Sequence, residues 1–402
     1  MDLKELAQQA KQLSPDLISL RRELHQIPEF ALTLPKTLAV IEREVSGLGE
    51  VAIDHEISCA TVLIRGAQPG PTVLLRADMD ALAVTEDTGL DFASTNGYMH
   101  ACGHDLHMAI GVGAARLVHA NRAKLKGNVL MFFQSGEEGH GGADLMIERR
   151  MHLAGGDSPI AAYGIHVFSV LPSGLYTCKV GPQMASAGDM IVRFTGKAGH
   201  GSMPWTGKDP ITPMIQAIAG IQPLVTKSFS AFDQVIVNVG WINAGDTHTT
   251  NVMPESAAFG ATIRTFSKPH FERVRSELKV LMESVASSYG VTVDVEFLPA
   301  SKVLSNHKAN VERVESLVTA GFGADRFQTM EHPITGGEDF ATILEHMPGA
   351  FIFLGAADPA IQPKDWESNH SNRARFNDDV IADGAAVLAA LAFSELADAT
   401  VS

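Results

Sequence analysis

The sequence predicts an α/β fold: a first domain built on a largely parallel sheet, interrupted by an inserted ferredoxin-like (βαββαβ) domain. Three observations carry this. In the first part of the chain, nearly continuous apolar strands alternate with helical stretches, as in a sheet buried on both faces. From about residue 184 the order becomes strand, helix, strand, strand, helix, strand, the ferredoxin-like unit. After Pro299 the first rhythm returns. At 402 residues the chain also exceeds the size at which one core keeps growing. The expected division is a split first domain, 1–183 and 298–402, with 184–297 inserted.

Taken in order, residues 3 to about 27 are helical in period, with an interruption expected at Ser14-Pro15 and a stop at Pro28. Residues 35–48 read as a second helix closed by Gly49, 51–53 and 61–65 as short strands, and 66–71 as a turn. Three apolar strands then share a habit: 72–77 runs into Asp78-Met79-Asp80, 128–133 into Gly136-Glu137-Glu138, and 161–165 into His166. Helices are expected between them at 105–119 and 142–151. In the insertion, 190–195, 234–242, 256–266 and 291–297 read as strands; 209–225, broken early by Pro213, and 269–289 read as helices. A strand at 350–354 and an Ala-rich helix from 378 to about 396 complete the pattern.

Composition excludes some functions. A net charge of −15 argues against nucleic acid and against an anionic membrane surface. No run of about 18 apolar residues suggests a membrane span, and residues 1–6 open an amphipathic helix instead of a signal peptide. A cytoplasmic location is expected. Cys59, Cys102 and Cys178 are too few, and odd in number, for a disulfide framework, and a reducing compartment leaves Cys102 free to bind metal.

The densest chemistry lies in Met99-His100-Ala101-Cys102-Gly103-His104-Asp105-Leu106-His107. Cys102 and His104 stand two apart, which in an extended segment puts both side chains on one side. Alone, the pair could equally be a buried Cys beside a satisfied His. Sites in open α/β sheets lie beyond the carboxyl ends of the strands, so the three strand ends converge with Cys102 and His104. Glu137 and Glu138 are costly neighbours unless a cation or proton separates their roles; one would ligate metal and the other handle protons. In isolation they read as a solvated turn, His166 as a core histidine, His370 as a loop histidine and Asp80 as a turn cap. Together Cys102, His104, Glu138, His166 and His370 form a mixed S/N/O set for one or two ions of Zn, Mn, Co or Ni, and not for Ca or Mg.

Residues 21–29 (RRELHQIPE), 76–82 (RADMDAL), 99–107, 134–139, 164–167 (GIHV), 199–204 (GHGSMP), 251–254 (NVMP), 336–340 (GGEDF) and His370 resemble the metal-dependent amidohydrolases of the aminoacylase/carboxypeptidase family. The branch is the one with hippurate hydrolase, N-acetyl-diaminopimelate deacetylase and plant indole-acetyl-amino-acid hydrolases. The resemblance covers almost the whole chain. It implies a catalytic domain with an inserted lid, and a two-metal centre held by Cys102, His104, Glu138, His166 and His370. Glu137 is then the general base and Asp80 the orienting carboxylate, with Asp105 and His107 supporting the ligands. In the lid it points to His200, Asn251 and Arg264 for the substrate, and to a homodimer in which the lid histidine reaches the partner's site. Read from the residues alone, Arg264 is equally an exposed strand-end charge.

The chain departs from the family pattern at Ala83, Ser135-Gly136, Ser169 and Asn372. These positions bear on acyl specificity and remove neither ligand nor base. The expected reaction is hydrolysis of an N-acyl or aryl-acyl amino acid, a small-molecule substrate. A small-peptide carboxypeptidase or dipeptidase, a hydrolase with Cys102 as nucleophile, and a non-catalytic binding protein are the alternatives; the last expects a lost base, and Glu137 is present.

Overall fold

The computed structural model describes residues 1–399. It divides into two compact units: Met1–Gly181 with Ser305–His332 and the chain from Asp339 onward, and Pro182–Leu304 with Pro333–Glu338. These boundaries differ from 183/184 and 297/298. Ser301 and Ala187 exchange backbone hydrogen bonds of 2.9 and 3.2 Å, and the Ala185 N–H donates to the Ile334 and Gly336 carbonyls at 3.2 and 3.0 Å. Pairing between such distant segments leaves no periodicity in the sequence.

In chain order the elements begin with α1 (Leu3–His25), α2 (Pro35–Val45), β1 (Glu50–Asp54), β2 (Cys59–Arg65), β3 (Gln68–Asp78), α3 (His104–Ala120) and β4 (Lys126–Gln134). They continue with α4 (Gly142–Glu148), β5 (Ala161–Phe168), β6 (Tyr176–Cys178), β7 (Gly181–Met184), β8 (Ser186–Thr195) and β9 (Gly199–His200). Then come α5 (Ile211–Ser228), β10 (Val235–Ala244), β11 (Val252–Met253), β12 (Ser256–Thr265), α6 (Lys268–Ser288), β13 (Thr292–Phe297) and β14 (Leu304–Asn306). The last are α7 (Lys308–Phe322), β15 (Phe327–Thr329), α8 (Phe340–His346), β16 (Gly349–Gly355) and α9 (Val380–Asp398).

The first unit is built on an eight-stranded sheet of order β1-β2-β4-β3-β5-β16-β6-β15. β3 runs parallel to β4 and β5, β16 parallel to β5, and β15 parallel to β6, with the antiparallel pairs β1–β2, β2–β4 and β16–β6 among them. The expected turn at 66–71 is instead partly strand: Gln68 pairs with Lys126, and the register shifts before Thr72 pairs with Asn128.

Asp2 caps α1 by accepting from the Glu5 N–H at 2.8 Å. The helix runs through Pro15 without the expected break. A mid-helix proline costs about 3 kcal/mol, and burial of Leu6, Ala10, Leu17, Leu20 and Leu24 against the core offsets it. α1, α3 and α9 pack on one another. α9 is the one helix among the described residues long and apolar enough to cross a membrane, but its apolar side chains fill the core.

The second unit has a four-stranded antiparallel sheet, β10-β12-β8-β13, the order of a ferredoxin-like unit. Along β8, buried Met190, Val192 and Phe194 alternate with more exposed neighbours, and with Phe259, Leu278 and Met282 they form a separate core. Pro213 does not break α5. It falls in the first turn, where its missing N–H has no partner to lose.

Candidate metal centre

The candidate ligands are set by turns at the ends of core elements. The segment before α3 is a turn and not extended chain as expected; Gly103, with φ +87°, precedes His104, the first residue of α3. A Cβ on Gly103 would strike Val167, so glycine is required both by the left-handed backbone and by the close approach of β5. Cys102 and His104 still converge, now with His166 of β5: one ligand atom from each lies within 4.8 Å of the others.

The Cys102 Sγ is 3.3 Å from His166 Nε2 and 3.2 Å from His370 Nε2. His370 Nε2 is 3.3 Å from Glu138 Oε1, which is 3.9 Å from His104 Nε2. His166 Nδ1–H donates to the Val167 carbonyl at 2.9 Å, which leaves Nε2 with its lone pair toward Cys102. His370 adopts a left-handed backbone, φ +71°, and its N–H donates to the Ala101 carbonyl at 2.9 Å. Sequence-proposed ligands from four segments are thus brought together, all within the first unit.

The paired glutamates sit in a turn held by Asp80, which accepts from the Glu137 and Glu138 N–H groups at 3.0 and 3.1 Å. Asp80 is buried, and one carboxylate oxygen lies 3.7 Å from His104 Nδ1. Glu137 Oε2 is 4.0 Å from His104 Nε2.

The donor set suits a cation. Both ring nitrogens of fully buried His104 lack a hydrogen-bond partner, an arrangement that normally carries an explanation such as an ion. Burial and the Glu138 charge push the Cys102 thiol up. Burial alone would lower His104, but the Asp78 charge, Asp80 and Cys102 raise it well above the usual imidazole value. Hydrogen bonds with Cys102 and Glu138 bring His370 to about 10. Burial holds His166 low, hence neutral. The protons kept on the thiol and imidazoles are those that a divalent transition ion displaces.

Further residues support this cluster: His107, to which the resemblance points, and Arg76, Asp339 and Asn369, which the sequence does not single out. His107 donates Nδ1–H to Asp78 at 2.5 Å and accepts the Val167 N–H at Nε2, 2.8 Å. Both nitrogens are committed, so His107 braces the strand beside His166 and is not a ligand. Arg76, buried within β3, binds Asp78, donates to Gln134 Oε1 at 2.9 Å and to Asp339 at 2.9 Å. Asp339 also accepts from Gln134 at 2.8 Å and from the Ala143 N–H at 2.9 Å. Despite Arg76, burial lifts Asp339 to about 6. Asn369, beside His370, donates to the Cys102 and Val167 carbonyls at 3.1 and 2.9 Å. Its amide oxygen accepts from the Ser169 N–H at 3.0 Å, and the Ser169 hydroxyl donates to the Glu367 carbonyl at 2.7 Å. Proline could make neither bond, which gives the departure at Ser169 a local reason. Asp105 accepts from His25 at 2.7 Å and is ion-paired with Arg21 at 2.7 Å.

The second unit carries the other sequence candidates. His200 and Asn251 are exposed on a two-stranded ribbon, where His200 pairs with Val252 and the Asn251 carbonyl accepts the Gly201 N–H at 2.7 Å. Arg264 is half-buried on β12, opposite Ala187 and Ile236.

The family model described as peptidase family M20/M25/M40 matches residues 74–394. The chain is 35% identical over 346 residues to an N-acetyl-L-cysteine deacetylase of Bacillus subtilis, covering 85% of this chain and 81% of the relative. It is 34% identical over 406 residues to thermostable carboxypeptidase 1 of Saccharolobus solfataricus, covering 98% of each. Among solved structures it resembles the Bacillus subtilis YXEP protein, described as a dinuclear metal binding peptidase from the M20 family. The TM-score is 0.81 and the identity 30%, over 96% of this chain and 99% of that one.

Proposed function

Because the chain belongs to peptidase family M20/M25/M40 and is a metal-dependent amidohydrolase with a dinuclear centre, we propose that it cleaves the amide bond of N-acyl or aryl-acyl amino acids, releasing a carboxylic acid and a free amino acid. The observation that carries this reading is the convergence of Cys102, His104, His166, His370 and Glu138 beside a glutamate turn fixed by Asp80.

In this reading Cys102, His104, Glu138, His166 and His370 hold the two ions. When bound, divalent transition ions supply Lewis acidity toward the amide carbonyl and lower the pKa of water. Glu137 takes the proton of the attacking water on a carboxylate oxygen and delivers it to the leaving amine nitrogen. Asp80 keeps that carboxylate in place through the backbone of the turn. His200, Asn251 and Arg264 bind the substrate, the Arg fork matching its free carboxylate. The second unit acts as lid and homodimer contact; in support, β10 is an edge strand that exposes Ile236, Trp241 and Ile242. A cytoplasmic location fits three unpaired cysteines. The similarity to a carboxypeptidase favours one second reading, turnover of small peptides.

The test is amino-acid release from hippurate, N-acetyl amino acids and dipeptides by metal-loaded protein, chelated protein and Glu137→Gln. Turnover should require metal and fall by about 10²–10⁴-fold in Glu137→Gln. Activity that survives chelation but is lost on thiol alkylation would instead make Cys102 the nucleophile, and dipeptides as the fastest substrates would establish the peptidase reading.

A further inference from the structure

Two ligand groups within the cluster share Cys102. One is Cys102, His104 and His166, all buried; the other is Cys102, Glu138 and His370. Their supports differ. His104 opens α3, and His166 lies in β5, where its neighbour Val167 pairs with Leu354 of β16. His370 instead sits in the segment between β16 and α9, its side chain 55% exposed and its backbone left-handed at φ +71°. That conformation is unfavourable for a residue with a Cβ, and it persists only where surrounding structure imposes it.

Asn369 supplies that support. Its Nδ2 donates to the Cys102 carbonyl at 3.1 Å and to the Val167 carbonyl at 2.9 Å. The Val167 carbonyl also accepts from His166 Nδ1–H at 2.9 Å, so one oxygen orients a ligand ring and anchors the His370 segment. Asn369 Oδ1 accepts from the Ser169 N–H at 3.0 Å, and the Ser169 hydroxyl donates to the Glu367 carbonyl at 2.7 Å. An amide side chain is needed here, because the two carbonyls require a pair of donors and the Ser169 N–H an acceptor. The His370 N–H adds one tie, to the Ala101 carbonyl at 2.9 Å. Bonds between a paired strand and a loop restrain the less supported side, and that side is the loop.

We propose that Asn369 is a positioning residue: it holds His370 toward Cys102 and Glu138, and an ion at that group depends on it, whereas an ion at Cys102, His104 and His166 does not. This rests on the ligand set in the reading above. The contact between Asn369 and Ser169, a position at which the chain departs from the family pattern, thus sets the affinity of one ion position separately from the other.

The experiment titrates metal-free protein with Co²⁺. Calorimetry gives the number and affinity of bound ions, and absorption follows the thiolate-to-cobalt charge-transfer band of Cys102. The proteins are wild type, His370→Ala, Asn369→Ala, Ser169→Ala and the double variant His370→Ala with Asn369→Ala, and thermal unfolding without metal confirms the fold of each. Wild type should bind two ions, and His370→Ala should lose one of them. Asn369→Ala should weaken that same ion by about 10–100-fold and leave the other, with its charge-transfer band, unchanged. In the double variant Asn369→Ala should add nothing to the effect of His370→Ala. Ser169→Ala keeps the N–H bond to Asn369 and loses the hydroxyl bond to Glu367, so it should weaken the same ion by less; where Asn369→Ala does not fold, Ser169→Ala decides by the same comparison. Equal weakening of both ions, or of neither, overturns the positioning role alone. If wild type binds fewer than two ions, or His370→Ala keeps both at wild-type affinity, the ligand set fails and the proposal fails with it.

Discussion

His25 lies between two carboxylates. Its Nδ1 is 2.7 Å from Asp105 and its Nε2 3.1 Å from Glu86, so both nitrogens carry protons. In spite of burial, which works against charge, the facing carboxylates raise His25 above the ordinary imidazole value. Burial would likewise raise Glu86, but hydrogen bonds from His25 and Thr88 bring it to about 2 from 4.5. The signs are opposite. The depressed Glu86 contributes stability that is full above about 4.5 and is lost as the pH falls through about 2; the raised His25 contributes stability that is full below about 6.5 and is lost as the pH rises through its folded value. Stability from the pair therefore peaks between about pH 4.5 and 6.5. Unfolding midpoints measured from pH 2 to 5 should fall more steeply in wild type than in Glu86→Gln, and equal slopes would remove Glu86 from the account. At this scale the candidate ligands were legible as metal-competent residue types in short motifs, and the structure brings them together. The partners of the braces were not: His107, expected from the resemblance to support the ligands, is committed by the N–H of Val167, 60 residues away, and Arg76 by Asp339, 263 residues away. No local pattern encodes such partners.

Among the elements, α3 is held closest. A Cβ on Gly113 would lie 2.8 Å from the Ala385 Cβ of α9 and 2.8 Å from Leu17 Cδ1 of α1. Leucine can swing away, but the Ala385 methyl is fixed to its helix. Helix propensity alone favours Ala over Gly by about 1 kcal/mol, whereas overpacking costs about 1–3 kcal/mol. Gly113→Ala should therefore destabilise, read as a lower denaturant midpoint, and a raised midpoint would mean that the helices separate freely. Strands and helices were readable from apolar period, and the prolines were misleading in the same direction both times. Pro15 was expected to break α1 and Pro213 to break α5, yet tertiary burial carries the first and its place in the first turn excuses the second. Propensity speaks to an isolated helix, and these helices are not isolated.

Among the described residues each unit has its own hydrophobic core, and every sequence-proposed metal ligand belongs to the first. A metal at 100 times its dissociation constant stabilises the state that binds it by about 2.7 kcal/mol. Scanning calorimetry with and without chelator should therefore show one transition falling and another holding its temperature; equal shifts in both would place metal binding or cooperativity elsewhere. The two-part pattern was legible in the change of strand and helix order, while the boundaries were not, because residues 298–304 and 333–338 join the second unit by backbone pairing. The split arrangement also sets an order of events during synthesis. The second unit is nearly contiguous and can close its core while the ribosome is still translating, but Cys102 and His104 must wait for His370, and α3 for α9. At cellular elongation rates that wait is on the order of half a minute. A nascent chain thus holds the Cys102 thiol incomplete as a chelate for longer than any other candidate ligand, a window in which oxidants and scavenging metals compete for it.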